Sequence, residues 1–307
     1  METRKTIKHA RGTVIIFALV LTGVFLALQA LDRGSDYAAE KELWKLSREL
    51  EKLALDPEHA PQGGFDALNE KFERFRVKFA RFKGRPSAML LQARVFLLQR
   101  NFDSARGVIE EMVAEYRLDP DIAVKGLAEI GRVYVLQDDL EKIVATYHRI
   151  MEDYPLSDLG MKAPLLLVQL YSERQDGPAA QAALLHAENH YHQLMRTEEE
   201  PVPFRARQLL ARTYAAREQW ELSLRAYKEI LLNYAESPYL TPRVAEAVIR
   251  AINTIGVAKL KDWDRPVEVY TEFMARYPDH PLNGTFRGIV NSLNQIRKTG
   301  ESGESSG

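Results

Sequence analysis

From Pro86 onward the chain repeats itself, and no other feature restricts its fold as strongly. The unit is a pair of helices with small residues where the two cross and a Tyr or Phe in the gap between neighbours. In the clearest copy Leu127, Ile130, Gly131 and Tyr134 share one face of a first helix, Tyr147 and Ile150 lie on the second, and Pro155 stops it. The copy before reads Met89, Ala93, Phe96, Ala105, Ile109 and Met112, ending at Asp119-Pro120. Leu167, Tyr171, Ala180, Leu184 and Ala187 mark the copy after, followed by Leu210, Ala211, Tyr214, Ser223, Tyr227 and Ile230. The last copy keeps Tyr270, Phe273 and Pro278, but carries Val257 where its first helix should have Tyr. Units begin near 86, 124, 161, 204 and 247, at intervals of 38, 37, 43 and 43 residues. Residues 197–203 (TEEEPVP) and 262–266 (DWDRP) account for the longer later units.

No segment combines period-two alternation with β-branched enrichment, so the expected fold is all-α. The order large apolar, Leu-Gly-like pair, Tyr, then aromatic, apolar and Pro resembles the tetratricopeptide (TPR) pattern. The units are longer than the ~34 residues of a regular copy. That resemblance implies an α-solenoid over residues 86–297, closed by a capping helix over 282–296, with a disordered Gly/Ser/Glu tail at 298–307. It further implies a concave groove, lined by the first helix of each pair, that takes helices or extended peptides from other proteins. Helical phase places Gln92, Arg132, Gln169 and Arg207 in that groove.

The N-terminus supplies the second constraint. Residues 13–31 (TVIIFALVLTGVFLALQAL) carry no charge and, as one helix, reach nearly the ~30 Å of a hydrocarbon core. Arg4, Lys5, Lys8 and Arg11 precede the stretch, and Asp32, Asp36, Glu40 and Glu42 follow it. The expectation is a single transmembrane helix in a bacterial inner membrane, with residues 1–12 cytoplasmic, the bulk periplasmic and the bilayer itself a partner. A cleaved signal peptide is the alternative, although the stretch is long for one and its best cleavage site, Leu28-Gln29-Ala30, is poor. This layout is similar to the YfgM type of translocon-associated TPR protein, which implies a role in protein export or envelope assembly. A structural subunit of a larger envelope complex, bonded through its span, is the competing role.

Residues 32–85 should form a helical hairpin broken at 56–64 (DPEHAPQGG). Its first helix shows Ala39, Leu43, Leu46, Leu50 and Leu53, and its second a stripe of Phe65, Leu68, Phe72, Phe75, Phe79 and Phe82. On the other face of that second helix Lys71, Arg74, Lys78 and Arg81 could meet lipid headgroups or an acidic partner, or serve as an ordinary solvated face.

Composition narrows the chemistry. The chain has 307 residues and no cysteine, which removes disulfides, thiolate nucleophiles, Cys-ligated metals and lipidation through Cys. Its net charge of −1 gives no general pull toward nucleic acid. Neither a phosphate-binding Gly loop nor a hydrolase or zincin motif is present, and no catalytic residue, cofactor or metal site is expected. His186 and His190, four apart, could reach one metal with Glu188 nearby, while His192 points elsewhere. A polar face within a repeat accounts for these histidines without a metal. Asp138-Asp139 reads as a helix start. Sequence alone leaves the oligomeric state open.

Overall fold

The computed structural model of the chain describes residues 36–57, 59–61 and 63–304, with side chains as far as Arg297. Among these residues every regular element is a helix. The first two are α1 (Asp36–Leu55) and α2 (Gly64–Lys78), followed by α3 (Arg85–Leu98), α4 (Phe102–Glu115), α5 (Pro120–Leu136) and α6 (Leu140–Asp153). Then come α7 (Asp158–Glu173), α8 (Gly177–Leu194), α9 (Val202–Ala216), α10 (Trp220–Asn233) and α11 (Pro242–Asn253), which runs into a π-helical segment, Thr254–Lys259. The last two are α12 (Asp264–Arg276) and α13 (Asn283–Glu304), so helix continues past residue 297, where a disordered tail was expected to begin.

The repeat read from the sequence reappears in the backbone. Each turn inside a helix pair holds one non-glycine residue with positive φ: Arg100, Asp138, Gln175, Glu218 and Lys261. Their spacings are 38, 37, 43 and 43, the same series as the units. In four of the five turns the next residue donates its N–H to the carbonyl five positions back, at Phe96, Tyr134, Tyr171 and Tyr214. A left-handed residue followed by that long backbone bond is the Schellman ending of a helix. Asn101, Asp139 and Asp176 then cap the second helix, their carboxamide or carboxylate oxygens accepting from Ser104, Lys142 and Ala179 N–H at 3.1 Å. Asp139 therefore is the helix start that the sequence suggested, whereas Asp138 is the strained turn residue before it.

The chain divides into two compact units, one ending at Thr146 and the other beginning at Tyr147, a boundary that falls within α6. In the first unit α1 to α5 pack each on the next, and the first helices α1, α3 and α5 also touch in succession. The Phe stripe of α2 supplies the core: Leu68, Phe72 and Phe75 are fully buried and Phe79 nearly so, against Ala39, Leu46 and Leu50 of α1. Burying one such side chain contributes about 1.5–3 kcal/mol, enough to fasten α2 to both neighbours. At the α4–α5 crossing a Cβ on Gly126 would lie 2.5 Å from Val113 Cγ2 and 2.8 Å from Met112 Cε, so only glycine permits the approach. Gly131, the glycine of the Leu-Gly-like pair, is looser: a Cβ there would meet only Thr146 Cγ2 at 3.7 Å.

In the second unit α7 to α11 again pack in series, with further contacts between α7 and α9 and between α10 and α12. Phe273 and Phe286 meet edge to face with centroids 4.9 Å apart, seating α13 as a cap on α12. Two buried tyrosines tie second helices to first ones. Tyr191 Oη donates to the Met161 carbonyl at 2.9 Å, and Tyr270 Oη reaches the Ile249 carbonyl at 3.2 Å and Asn253 Oδ1 at 2.8 Å. Burial pushes both phenols well above their ordinary range, so both stay neutral donors.

One expectation is corrected here. Among the described residues no helix is long and apolar enough to cross a membrane, because each turns a charged face outward. The 13–31 stretch that carried the transmembrane reading lies outside the described residues. The inner-membrane, single-pass localisation, and the lipid partner that went with it, are accordingly withdrawn.

Candidate functional site

The described chain holds two cavities of similar construction, one in each unit, walled by first helices of neighbouring pairs and floored by the second helix between them. In the first unit a cavity of about 570 Å³ opens between α3 and α5 over Ile109 of α4. Leu90, Leu91 and Leu97 give it an apolar wall, and Arg94, Lys125 and Arg132 a basic one, with Glu129 the single acid. Arg132 Nη1 donates to Glu129 Oε1 at 3.2 Å while remaining largely exposed. Of the four residues expected in a groove, Arg132 is the one that lines this cavity.

Gln92 is elsewhere. It is fully buried, its Oε1 accepting from Arg76 Nη1 at 3.0 Å and its Nε2 donating to Glu73 Oε1 at 2.6 Å. Arg76, also buried, extends this network to Glu111, which lies 3.9 Å from Arg85 Nη2, and Arg85 pairs in turn with Glu115. Each guanidinium keeps an unpartnered buried Nε. Helical phase misassigned Gln92 because α3 is enclosed on two sides, by α2 as well as α4, so a polar residue on it can face a buried ion network.

In the second unit a cavity of about 600 Å³ lies between the end of α9, the start of α10, and α11 with its π segment. Trp220, Tyr227, Ala247, Ala251 and Ile255 form its apolar surface, and Arg243, Glu246, Arg250 and Lys259 its charged rim. Lys259 Nζ sits over the Trp220 ring, 5.0 Å from the centroid. The π segment is what brings Lys259 there. Asp262 N–H bonds the Gly256 carbonyl at 2.9 Å, six positions back rather than five, so this helix holds one extra residue relative to the other first helices. Such one-residue insertions recur at functional sites. Gly256 allows the widened turn to pack on Pro266, whose Cγ would lie 2.5 Å from a Cβ at that position. The only hint in the sequence was Val257 in place of Tyr.

Gln169 is exposed and donates to Glu173 Oε1 on its own helix at 2.7 Å. Arg207 is half-buried and pairs with Glu229 of α10 at 2.7 Å, so it braces a helix pair and does not line the cavity. The structure therefore brings none of Gln92, Arg132, Gln169 and Arg207 together at one cavity.

Charges on the Phe-striped helix are largely spoken for. Lys71 pairs with Glu49 and Lys78 with Glu42, each at 2.5 Å across to α1, and Arg74 lies 3.7 Å from Glu70. Arg81, exposed, shares a small cavity with Asp36. These carboxylates offset the field that would draw in an anionic surface.

The histidines form a row rather than a ligand set. His186 and His190 stack with centroids 6.3 Å apart, and His148 meets His186 edge-on at 6.2 Å. His190 Nε2 is buried and unpartnered, and burial followed by repulsion from His186 lowers its pKa below the ordinary histidine value. His192 points away, its Nε2 3.1 Å from Tyr214 Oη, and Glu188 is engaged by Arg217. Among the described residues no group of three or more His, Asp or Glu side chains is placed to hold a metal.

No protein-family model matches the chain, and no curated protein matches it. Solved structures give distant likenesses. BtubC (BKLC) from P. vanneervenii is 14% identical, with 83% of this chain and 92% of that one covered and a TM-score of 0.39. The TPR2AB domain of yeast Sti1, solved as a complex with pHSP90, is 14% identical over 85% of this chain and 100% of that one, with a TM-score of 0.31. The RpL4 assembly chaperone Acl4, residues 1–338, is 12% identical over 86% and 99%, with a TM-score of 0.27. Likenesses this distant assign neither a partner nor an activity.

Proposed function

We propose that the chain is a TPR-type interaction scaffold that holds segments of partner proteins against the first helices of its pairs. The observation that carries this reading is the construction of the two cavities. Each is an open trough of several hundred cubic ångströms with aliphatic or aromatic walls and a rim of basic side chains around one acid. Surfaces of that kind suit an extended or helical segment that seats apolar side chains and lays polar ones along the edge. Helix pairs that stack in series give such troughs as a by-product of their packing, and the exposed side chains on their rims can vary without disturbing the core.

The test is site-specific photocrosslinking. A photoreactive side chain at Leu91 or Ala247, both at the troughs, should capture a discrete partner that then binds the purified chain, with binding weakened by Arg132→Glu or Arg243→Glu. Equal capture from Glu141, on a second helix and lining neither trough, or binding indifferent to both reversals, would overturn the reading.

A further inference from the structure

The trough of the second unit carries enough chemistry to specify its occupant. Its charged rim is unbalanced. Glu246 Oε1 accepts from Arg250 at 2.7 Å, which cancels one cation. Arg243 and Lys259 remain, both exposed, and among the described residues neither has a carboxylate within ion-pair distance. Between them the floor is aromatic and aliphatic: Trp220 and Tyr227 from α10 face Ala247, Ala251 and Ile255. The ammonium of Lys259 sits over the indole of Trp220 at the rim. Two uncompensated cations flanking an apolar pocket attract carboxylates, and the pocket rewards one buried aliphatic or aromatic side chain by about 1.5–3 kcal/mol.

The geometry points to an acidic segment of a partner protein as the occupant. One apolar side chain is seated between Trp220, Tyr227 and Ile255, and Asp or Glu residues beside it meet Arg243 and Lys259. This rests on the scaffold reading above and adds to it the chemistry of the ligand. The π segment has a specific part in it, because the extra residue in that turn carries Lys259 onto the rim. A polyanion such as single-stranded nucleic acid is the less fitting ligand: the chain as a whole has a net charge of −1, and only one of its two free rim cations stands over a ring.

Selection of a phage-displayed random-peptide library on the full-length chain tests this. Enriched peptides should carry Asp or Glu flanking Leu, Ile, Met or Phe. A labelled synthetic copy of one should lose roughly tenfold or more in affinity to the Arg243→Glu, Lys259→Glu double variant, and to Lys259→Met in smaller measure. Arg132→Glu, in the other unit, should leave its affinity unchanged. Enriched peptides without acidic residues, or undiminished binding to the double variant, would overturn this inference and leave the scaffold reading standing. Tighter binding of a thymidine oligonucleotide at the same residues would also overturn it. A chain that selects no peptide at all would sink both.

Discussion

Arg76 and Gln92 are bonded side chain to side chain at 3.0 Å with both residues buried, which makes a charged network part of the core of the first unit. A guanidinium enclosed to this degree depends on its acceptors, and removing one leaves an N–H without a partner at a cost of about 1–3 kcal/mol. Gln92→Leu should therefore lower the unfolding free energy by roughly 2 kcal/mol in urea titration while leaving partner capture at Leu91 intact. If the variant unfolds at the wild-type midpoint, the network does not stabilise the fold.

Two glycines five residues apart on α5 should respond in opposite directions. Gly126→Ala forces a methyl group into Val113 and Met112, and overpacking of this kind costs about 1–3 kcal/mol. Gly131→Ala meets ordinary van der Waals space and removes a helix-interior glycine, which should stabilise by about 0.5–1 kcal/mol. Thermal melts of the two variants decide the matter, and shifts of the same sign would contradict this account of the α4–α5 crossing.

The five left-handed turn residues are a store of local strain. A non-glycine residue in that conformation costs roughly 1–2 kcal/mol, part of which glycine gives back through the entropy of the unfolded chain. Glu218, at φ 56°, is exposed and is followed by Gln219, which makes no side-chain cap bond. Glu218→Gly should raise stability by about 0.5–1 kcal/mol, measured by chemical denaturation. A loss of stability would mean that the carboxylate makes a contribution its geometry does not display.

Sequence and structure agree most closely where the physics is local and periodic. The series 38, 37, 43 and 43 could be counted from aromatic and small residues because those residues fill the same gap in each helix pair, and the backbone repeats it at Arg100 through Lys261. The Phe stripe was legible for the same reason. Side-chain partners across helices were not. Gln92 looked like a groove residue until Arg76, sixteen positions away, was placed beside it, and Lys71 and Lys78 looked like free charge until α1 brought Glu49 and Glu42 across. The π insertion escaped notice because a one-residue change of helical register leaves composition and periodicity nearly untouched. Its trace was one missing tyrosine, at Val257.

The histidine row makes stability depend on pH. Burial, and then the neighbouring His186, hold the His190 imidazole below its ordinary pKa of 6.5, so the folded chain resists a proton that the unfolded chain accepts. The contribution of neutral His190 is fully present above that ordinary value and is lost as pH falls from it through the lowered folded value, since stability declines wherever the unfolded state binds more protons. No hydrogen bond at Nε2 softens the effect, because that nitrogen is buried without an acceptor or donor among the described residues. Urea unfolding at about pH 7.5 and about pH 5 should show a larger loss for the wild type than for His190→Gln, which cannot titrate. Both proteins will share the losses caused by carboxylate protonation, so the difference between them isolates the imidazole. Identical pH dependence in the two would place His190 in solvent and remove the row of stacked histidines as a sensitive element of the second unit.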